Sequence, residues 1–506
     1  METAKRGHTG VSVRATLDRL FSPSDELDLT SGPIAKPLLY LSFPIVITNL
    51  FQTAYNLADT FWLGQYNTTA LAAISFAFPM VFLLISFAIG LSVAGSVLVA
   101  QHIGAERERE AEYAASQTVT FSILVSILLG MLGLLFVDQY LVLLGASESV
   151  IPPVTAYMKV ISVGLFAMFG FAVFIALMRG YGDTVTPMLV MFGSVVLNIV
   201  LDPILIFGFE NNPLFDYLGM GGLELWLLGQ TGYPGSGIEG AAIATVFSRL
   251  LALAVGLVIM FRGHRGVQIH LDQMVPDLGY ARRLIDIGIP ASVEATGIAI
   301  SANVLLFIIA AFTEPVVAAY GIAIRVFSVI FLPALAFSQG VETMTGQNIG
   351  AGKEDRAARA NNYSAKLLFV TLSVLGGIVF FTAHSIAAVF STDPAVVEIA
   401  ATFMQFAALT FGGIGVRHAY TGGFRGAGKT VTAAVIAVSV LGAVRLPVAW
   451  IGSTLFGPPG VWTAFAVSNV TGGVVAYLWF RRGTWRGNDL SDRYASSALS
   501  ESTSDD

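Results

Sequence analysis

Residues 101–110 read QHIGAERERE, and residues 347–356 read QNIGAGKEDR, so two similar stretches stand 246 residues apart. The same offset of 246 relates MRGYGDTVTP at 178–187 to FRGAGKTVTA at 424–433. Because separate landmarks recur at one spacing, the sequence predicts a duplicated chain.

A third landmark, Pro44 in YLSFP and Pro290 in DIGIP, keeps the offset of 246. A fourth pair, GAAIATVFS at 240–248 and GVWTAFAVS at 460–468, is offset by 220 instead. The difference predicts an insertion near 211–236, a glycine-rich loop present in the first half only.

The composition indicates a membrane protein. Of 506 residues, 55% are hydrophobic and 12% are charged, with a mean hydropathy of +0.74. A soluble chain carries about 25% charged residues. The absence of cysteine excludes a disulfide framework and thiolate metal sites. The first 30 residues are polar, so we expect no cleavable signal peptide.

Apolar stretches long enough to cross a bilayer recur along the chain and predict an all-α polytopic membrane protein. Strands are not expected, because no alternating pattern of about ten residues appears. The twelve predicted transmembrane helices are 37–63, 71–101, 113–137, 152–178, 185–209, 238–261, 283–312, 316–345, 364–390, 394–423, 431–452 and 460–481.

Lys and Arg predict the orientation of these helices. Every even-numbered helix is followed by a basic segment, whereas the alternate connections contain no Lys or Arg. Both termini are therefore expected in the cytoplasm, with Lys5, Arg6, Arg14, Arg19 and Lys36 in the N-terminal segment. The predicted units are an N-terminal segment 1–36, a first lobe 37–262, a linker 263–282, a second lobe 283–482 and an acidic tail 483–506.

Two six-helix bundles related as parallel repeats are typical of secondary transporters that alternate access around a central cavity. One motif suggests a different energy source, because GFRGAGKT at 423–430 matches the nucleotide-binding P-loop pattern. That motif requires a preceding strand in an α/β domain, whereas here it joins two membrane helices. We interpret it as a tight glycine turn, with an Arg near the headgroups and a Thr capping the next helix.

Four polar residues are predicted to lie at one depth in the first lobe. Asp59 is ~30 Å along the first helix from Leu38, and Asp202 is ~27 Å along the fifth from Thr184. Asn198 lies one turn from Asp202, and Thr245 lies about two turns into the sixth helix. Acids within a membrane indicate function, because they are costly unless paired or hydrated.

This set suits a small cation or a proton. Oxygen ligands from carboxylate, amide and hydroxyl groups could hold Na⁺, and burial beside a second acid favours a protonated carboxyl group. Structural explanations remain open at this point. Asp202 could cap a helix break at Pro203, Asp59 could be solvated near the headgroups, and Arg249 could bridge to either acid.

The second lobe has no equivalent acids, since an offset of 246 places Asp59 on Leu305 and Asp202 on Val448. Glu294 is the best acid available to that lobe. Other polar residues there are weaker candidates that are more often structural, namely His384, His418, Arg417 and Arg445.

At these residues the sequence resembles the multidrug and toxic compound extrusion (MATE) family, in the prokaryotic branch that includes the DNA-damage-inducible transporters. The matching pieces cover about 36–482: YNLADTFWLG, AQHIGAERERE, RGYGDTVTP, VLNIVLDPILIFG, GAAIATVFSR, IGIPAS, AAYGIAIRVFS, FSQGVETMTGQNIGAGKEDRA and GGFRGAGKT. The resemblance implies a V-shaped, two-lobe exporter that exchanges H⁺ or Na⁺ for organic, often cationic, compounds.

The resemblance also implies residue roles. The cation site of the branch maps onto Asp59, Asn198, Asp202 and Thr245, with Na⁺ as a possible metal ion. Substrate-cavity residues match Gln52, Tyr55 and Met191. Arg249 departs from the pattern and could compete with the cation.

The expected function is therefore antiport by alternating access in the plasma membrane, by a monomer with no enzymatic activity. We expect no cofactor besides the coupling ion, small organic molecules and the lipid bilayer as partners, and no nucleic acid. The alternative is a flippase for lipid-linked saccharides of the same superfamily, which would need a strongly cationic central cavity.

Overall fold

A computed structural model of the protein describes residues 28–490 apart from 144–147, 149 and 264. The predicted basic residues at positions 5–19 and most of the acidic tail, 491–506, lie outside the described residues. The regular structure of the described residues is helical, which confirms the predicted fold class.

The first half comprises long helices and a short helical insertion. Its helices are α1 (Ala35–Tyr66), α2 (Thr68–Gly104), α3 (Glu108–Leu143), α4 (Ile151–Val163), α5 (Leu165–Tyr181), α6 (Val185–Phe207), α7 (Pro213–Leu218), α8 (Gly221–Thr231) and α9 (Gly237–Arg262). The predicted insertion contains α7 and α8, and Asn212 ties it to α6 by donating from Nδ2 to the Pro203 carbonyl at 2.9 Å.

The second half repeats the long helices. They are α10 (Leu278–Ala310), α11 (Glu314–Gly350), α12 (Glu354–Phe390), α13 (Pro394–Ala408), α14 (Phe411–Gly426), α15 (Thr430–Val438), a π-helical segment (Ser439–Arg445), α16 (Leu446–Phe456) and α17 (Pro458–Arg481). Long apolar helices satisfy their own backbone groups, as a lipid environment requires.

The described residues form ten continuous helices that are long and apolar enough to span a bilayer, with Thr430–Phe456 counted as one helix through its π-helical segment. The number of spans is twelve if each bent pair of helices counts as one span. The bent pairs are α4 with α5, at 53°, and α13 with α14, at 50°. Both pairs were predicted as unbroken helices. The first break falls at Gly164, where a Cβ would collide with Val246.

The halves meet near the face at which α2 and α11 end, which we call the basic face after its Lys- and Arg-bearing loops. Across this junction α2 packs against α10 and α11, and α1 packs against α11. Gly104 lies against the backbone of Gln347, and Gly350 lies against the backbone of Gln101, too close for any Cβ. Gln347 Nε2 also donates to the Tyr181 carbonyl at 2.9 Å.

The π-helical segment shifts the correspondence between the halves by one residue. Gly240 packs on the carbonyl of Leu205, and its counterpart Gly460 packs on the carbonyl of Gly452, which is 247 residues beyond Leu205. A π-helical turn accommodates an extra residue within an otherwise regular helix. At this depth Asp202 therefore corresponds to Ala449, and the predicted correspondence with Val448 is wrong by one residue.

Candidate functional site

Helix α1 presents one polar face to the interior of the first half. Gln52, Tyr55 and Asp59 follow one another at intervals of three and four residues, so they share this face. Asp59 is only 9% exposed, which excludes its predicted alternative placement near hydrated headgroups.

Helix α6 brings a second acid to the same place. Asp202 and Asn198 are 0% exposed, and Asn198 Nδ2 donates to Asp202 Oδ1 at 3.1 Å. The carboxyl groups of Asp59 and Asp202 lie within range of a shared hydrogen bond. Helix α6 continues through Pro203 to Phe207, so Asp202 does not cap a helix break.

Helix α9 completes the group. Thr245 is buried, and its hydroxyl lies 2.6 Å from the hydroxyl of Tyr55. The structure thus gathers Asp59, Asn198, Asp202 and Thr245 from three helices; we call these four residues the acid site.

Several oxygens of the acid site have no hydrogen-bond partner within the described part of the chain. These buried atoms are Oδ1 of Asp59, Oδ1 of Asn198 and Oδ2 of Asp202. Unsatisfied buried acceptors are costly, and a bound cation or a proton would satisfy them. No group of three or more His, Cys, Asp or Glu side chains suited to a metal forms among the described residues, so any ion here relies on the amide and hydroxyl groups too.

Arg249 lies one turn from Thr245 and does not bridge to the acids as an ion pair among the described contacts. Instead, it donates to Gln52 Oε1 at 2.7 Å and contacts the Met191 sulfur at 2.9 Å. Its guanidinium also lies over the rings of Tyr55, at 5.1 Å, and Phe171, at 5.3 Å. The predicted cavity residues Gln52, Tyr55 and Met191 therefore surround Arg249.

Tyr157 is a neighbour of the acid site that the sequence did not predict. It is a buried residue of α4, close enough for the charges of Asp59 and Asp202 to act on its hydroxyl group. A tyrosine in an apolar helix carries no sequence signal for such a role. Helix α4 therefore brings a hydroxyl group within electrostatic range of the acid site.

Glu294, the predicted acid of the second half, lies in a network at the junction of the halves. Arg425 donates to Glu294 Oε1, Glu342 Oε2 and Ser338 Oγ at 2.9, 2.9 and 2.8 Å. Arg179, which is 246 residues before Arg425, lies 3.7 Å from Glu342 Oε1.

Arg425 belongs to the GFRGAGKT motif, and its surroundings correct our interpretation of that motif. The residue is buried within the protein and forms ion pairs there. The Thr430 hydroxyl makes no cap, and the residue preceding α15 makes no side-chain capping bond. The motif links α14 to α15 without a preceding strand in the described chain, which agrees with the rejection of a P-loop.

Comparisons with known proteins agree with this architecture. The MatE family profile matches residues 44–204 and 290–451. A FAD transporter of Shewanella oneidensis is 29% identical over 461 residues, covering 90% of this chain and 97% of that protein. YoeA of Bacillus subtilis, described as a probable multidrug resistance protein, is 28% identical over 437 residues, covering 84% and 89%.

The fold also matches solved structures. A MOP superfamily transporter from Pyrococcus furiosus superposes with a TM-score of 0.80 at 23% identity, covering 91% of this chain and 98% of that chain. At this level of identity the likeness supports the fold alone.

Proposed function

The chain belongs to the MatE family of transporters, and on that premise we propose that it is a secondary active antiporter. It exports organic compounds in exchange for H⁺ or Na⁺, and the acid site holds the coupling ion. The observation that carries this proposal is the pair Asp59 and Asp202, buried side by side with oxygens that lack partners. A purely structural acid would be expected to bond to arginine, as Glu342 does.

The coupling step needs no covalent chemistry beyond protonation. In the H⁺ case a proton from solution forms an O–H bond with one carboxylate, which then donates to its neighbour. In the Na⁺ case the oxygens of the acid site replace water around the ion. Either event removes charge repulsion between Asp59 and Asp202, so ion binding favours the conformation that keeps them together.

Exchange requires two conformations that bind the ion and the compound with different affinities. Close contacts between the halves occur at the basic face, which supports a form closed on that side and open towards the opposite face. Alternating access then consists of separating these contacts while the halves close at the opposite face. We place the protein in the plasma membrane, with the basic face and both termini in the cytoplasm.

The names of the relatives support organic compounds as cargo. One relative is named for FAD and another for multidrug resistance, so the size of the compound is not narrowly constrained. Aromatic side chains and methionine near Arg249 would offer adaptable contacts to such cargo.

The test is export from proteoliposomes under an imposed ΔpH or ΔNa⁺, with ethidium as a cationic probe and riboflavin 5′-phosphate as an anionic one. We expect gradient-driven export by the wild-type protein and its loss in Asp59→Asn, which cannot bind a proton or neutralise Na⁺. A matched control is Asp138→Asn, because Asp138 is an exposed acid of α3 that bonds to Thr155 instead.

Normal export by Asp59→Asn under either gradient would contradict the proposal. A readout that needs no cargo is the thermal stability of the purified protein in detergent. The wild type should be stabilised by the coupling ion, and Asp59→Asn should lose this dependence.

A further inference from the structure

Two arginines of the second half occupy positions that correspond to the acid site and its surroundings. With the one-residue shift of the π-helical segment, Arg445 corresponds to Asn198. Arg417 corresponds to Phe171, the ring beneath Arg249, at the regular offset of 246. The second half therefore places positive charge in and beside the region that corresponds to the acid site.

The remaining counterparts fit the same inversion. Ala449, Phe465 and Leu305 stand where the first half has Asp202, Thr245 and Asp59. Ala449 is 0% exposed and Leu305 2% exposed, so the acid positions are filled by apolar groups. Consequently, no acidic side chain stands near Arg417 or Arg445 at the described positions that correspond to Asp59 and Asp202.

Arg445 is held by neutral groups. Its Nε donates to Ser468 Oγ at 2.8 Å, and one terminal nitrogen donates to Asn469 Oδ1 at 3.1 Å. Its guanidinium lies 4.4 Å from the centre of the Phe465 ring. These contacts orient the guanidinium without neutralising it.

Arg417 is also without an ion pair within 4.0 Å in the described chain, and its terminal nitrogen lies 3.1 Å from Nε2 of His418. The acid whose charge reaches it is Glu294, which is already bonded to Arg425. Arg417 and Arg445 lie close enough for their charges to repel each other. The interior of the second half therefore holds excess positive charge.

Such charge deep in a membrane protein is expensive and marks binding sites. A structural role would be served by an acid, and the same helix gives the example: eight residues beyond Arg417, Arg425 bonds to Glu294 and Glu342. The planar guanidinium group suits the oxygens of carboxylate and phosphate groups.

The backbone around the two arginines is irregular. Arg445 ends the π-helical segment, and Asn469 donates to Thr410 Oγ1, at the break between α13 and α14, at 3.1 Å. Broken helices near the middle of the membrane are the usual setting of substrate sites in transporters.

We propose that Arg417 and Arg445 form an anion-binding subsite, and that the exported compound carries a phosphate or carboxylate group bound there. This inference rests on the proposed export function and narrows its cargo to organic anions. Ser468, Asn469 and His418 position the guanidinium groups. The coupling ion and the anionic group then bind in different halves.

The test is binding to the purified full-length protein in detergent, without any gradient, using riboflavin and riboflavin 5′-phosphate. The two probes share one ring system and differ by the phosphate group. We expect the phosphate form to bind at least about tenfold more tightly. Arg445→Gln and Arg417→Gln should each remove most of this difference while leaving riboflavin binding unchanged.

Two controls separate charge from general damage. Arg445→Lys keeps the charge without the planar fork and should retain part of the preference. Arg481→Gln removes an exposed arginine at the end of α17 and should change nothing. Inorganic phosphate could compete with riboflavin 5′-phosphate for binding while the flavin phosphate is not exported in proteoliposomes. That result would indicate an ion site without a role in export and would overturn the assignment of the cargo.

Equal affinity of the wild type for both flavins would overturn the inference, and this comparison needs no variant that might misfold. Pyrophosphate serves as a second anionic probe. The inference would also be overturned if neither riboflavin 5′-phosphate nor pyrophosphate showed binding that depends on Arg417 and Arg445. If ethidium is still exported under a gradient in that case, the antiport proposal stands. Phosphate-dependent binding without gradient-driven transport of any probe would instead contradict the antiport proposal.

Discussion

The interiors of the two halves have the same backbone arrangement and opposite charge. In the first half, Asp59 and Asp202 lie side by side with unsatisfied oxygens. In the second half, Arg417 and Arg445 lie close together with neutral partners. The chain thus contains one scaffold twice, and substitution at a few interior positions gave each copy a different interior charge.

The comparison teaches that a repeat cannot be assigned a function from its partner. A search for a second acid site leads by sequence offset to Leu305 and by residue type to Glu294, and neither reproduces the first site. Leu305 is packed in the apolar core of the second half, and Glu294 is bonded to Arg425.

The largest expected effect concerns the arginines that the halves share by descent, Arg425 and Arg179. Arg425→Gln leaves Glu294 and Glu342 without their close partner, so we expect a loss of about 3–5 kcal/mol in the free energy of unfolding. Arg179→Gln should cost about 1–2 kcal/mol, because Arg179 makes one ion pair at 3.7 Å and one hydrogen bond to Gln339 at 3.2 Å.

Thermal unfolding of the two variants in detergent measures this difference, and Arg481→Gln is the surface control. Equal shifts in the unfolding temperature of Arg425→Gln and Arg179→Gln would contradict the prediction, because they would mean that both arginines stabilise the network equally despite their different contacts.

The second prediction sharpens the contrast between the acid positions. Asp202→Asn should lower gradient-driven export by at least about tenfold, which is 1.4 kcal/mol, because one ion ligand is lost. Thermal stability should not fall, since the change removes one of two adjacent buried carboxylates. At the corresponding position of the second half, Ala449→Ser should leave the ion dependence of export unchanged.

A reduction in stability equal to the reduction in export would instead assign Asp202 a structural role. Export and unfolding are therefore to be measured on the same preparations of both variants.

The smallest effect concerns a difference on the surface of the halves. In the first half the linker folds over α3, where Gln117 Nε2 donates to the carbonyls of Gln273 and Val275 at 2.6 and 2.8 Å. Gln117→Met should loosen this segment by about 1 kcal/mol. Hydrogen exchange of the amides at 271–278 should accelerate without change in the rest of the chain.

The control is Tyr363→Phe, at the position that corresponds to Gln117 in the second half. There the surface between α12, α14 and α17 is an open groove of 780 Å³, lined in part by Lys366 and Phe369. Equal exchange in wild type and Gln117→Met would mean that the linker is held by other contacts.

Much of this architecture follows from patterns that the sequence displays. Apolar length predicts the spans, and constant rise per residue predicts that Asp59 and Asp202 lie at one depth. The offset of 246 predicts the two halves. These properties are local or periodic, so they can be predicted from the sequence without knowledge of how the helices pack.

What the sequence did not predict depends on tertiary contacts or on backbone detail. The bends near Gly164 and Leu409 and the π-helical segment before Arg445 have no fixed composition. The roles of Arg417, Arg445 and Arg425 depend on which acidic side chains lie near them in the folded structure. Arg425 forms ion pairs with two glutamates, whereas Arg417 and Arg445 have no acid within ion-pairing distance among the described residues.

The glycine contacts at the basic face relate residues in a reciprocal way. Gly104 meets Gln347, and Gly350 meets Gln101, and each residue is 246 positions from its counterpart. Reciprocal contacts of this kind are the signature of an isologous interface with a two-fold axis. The junction within this single chain therefore has the form of a homodimer interface, with each half contributing the same surface.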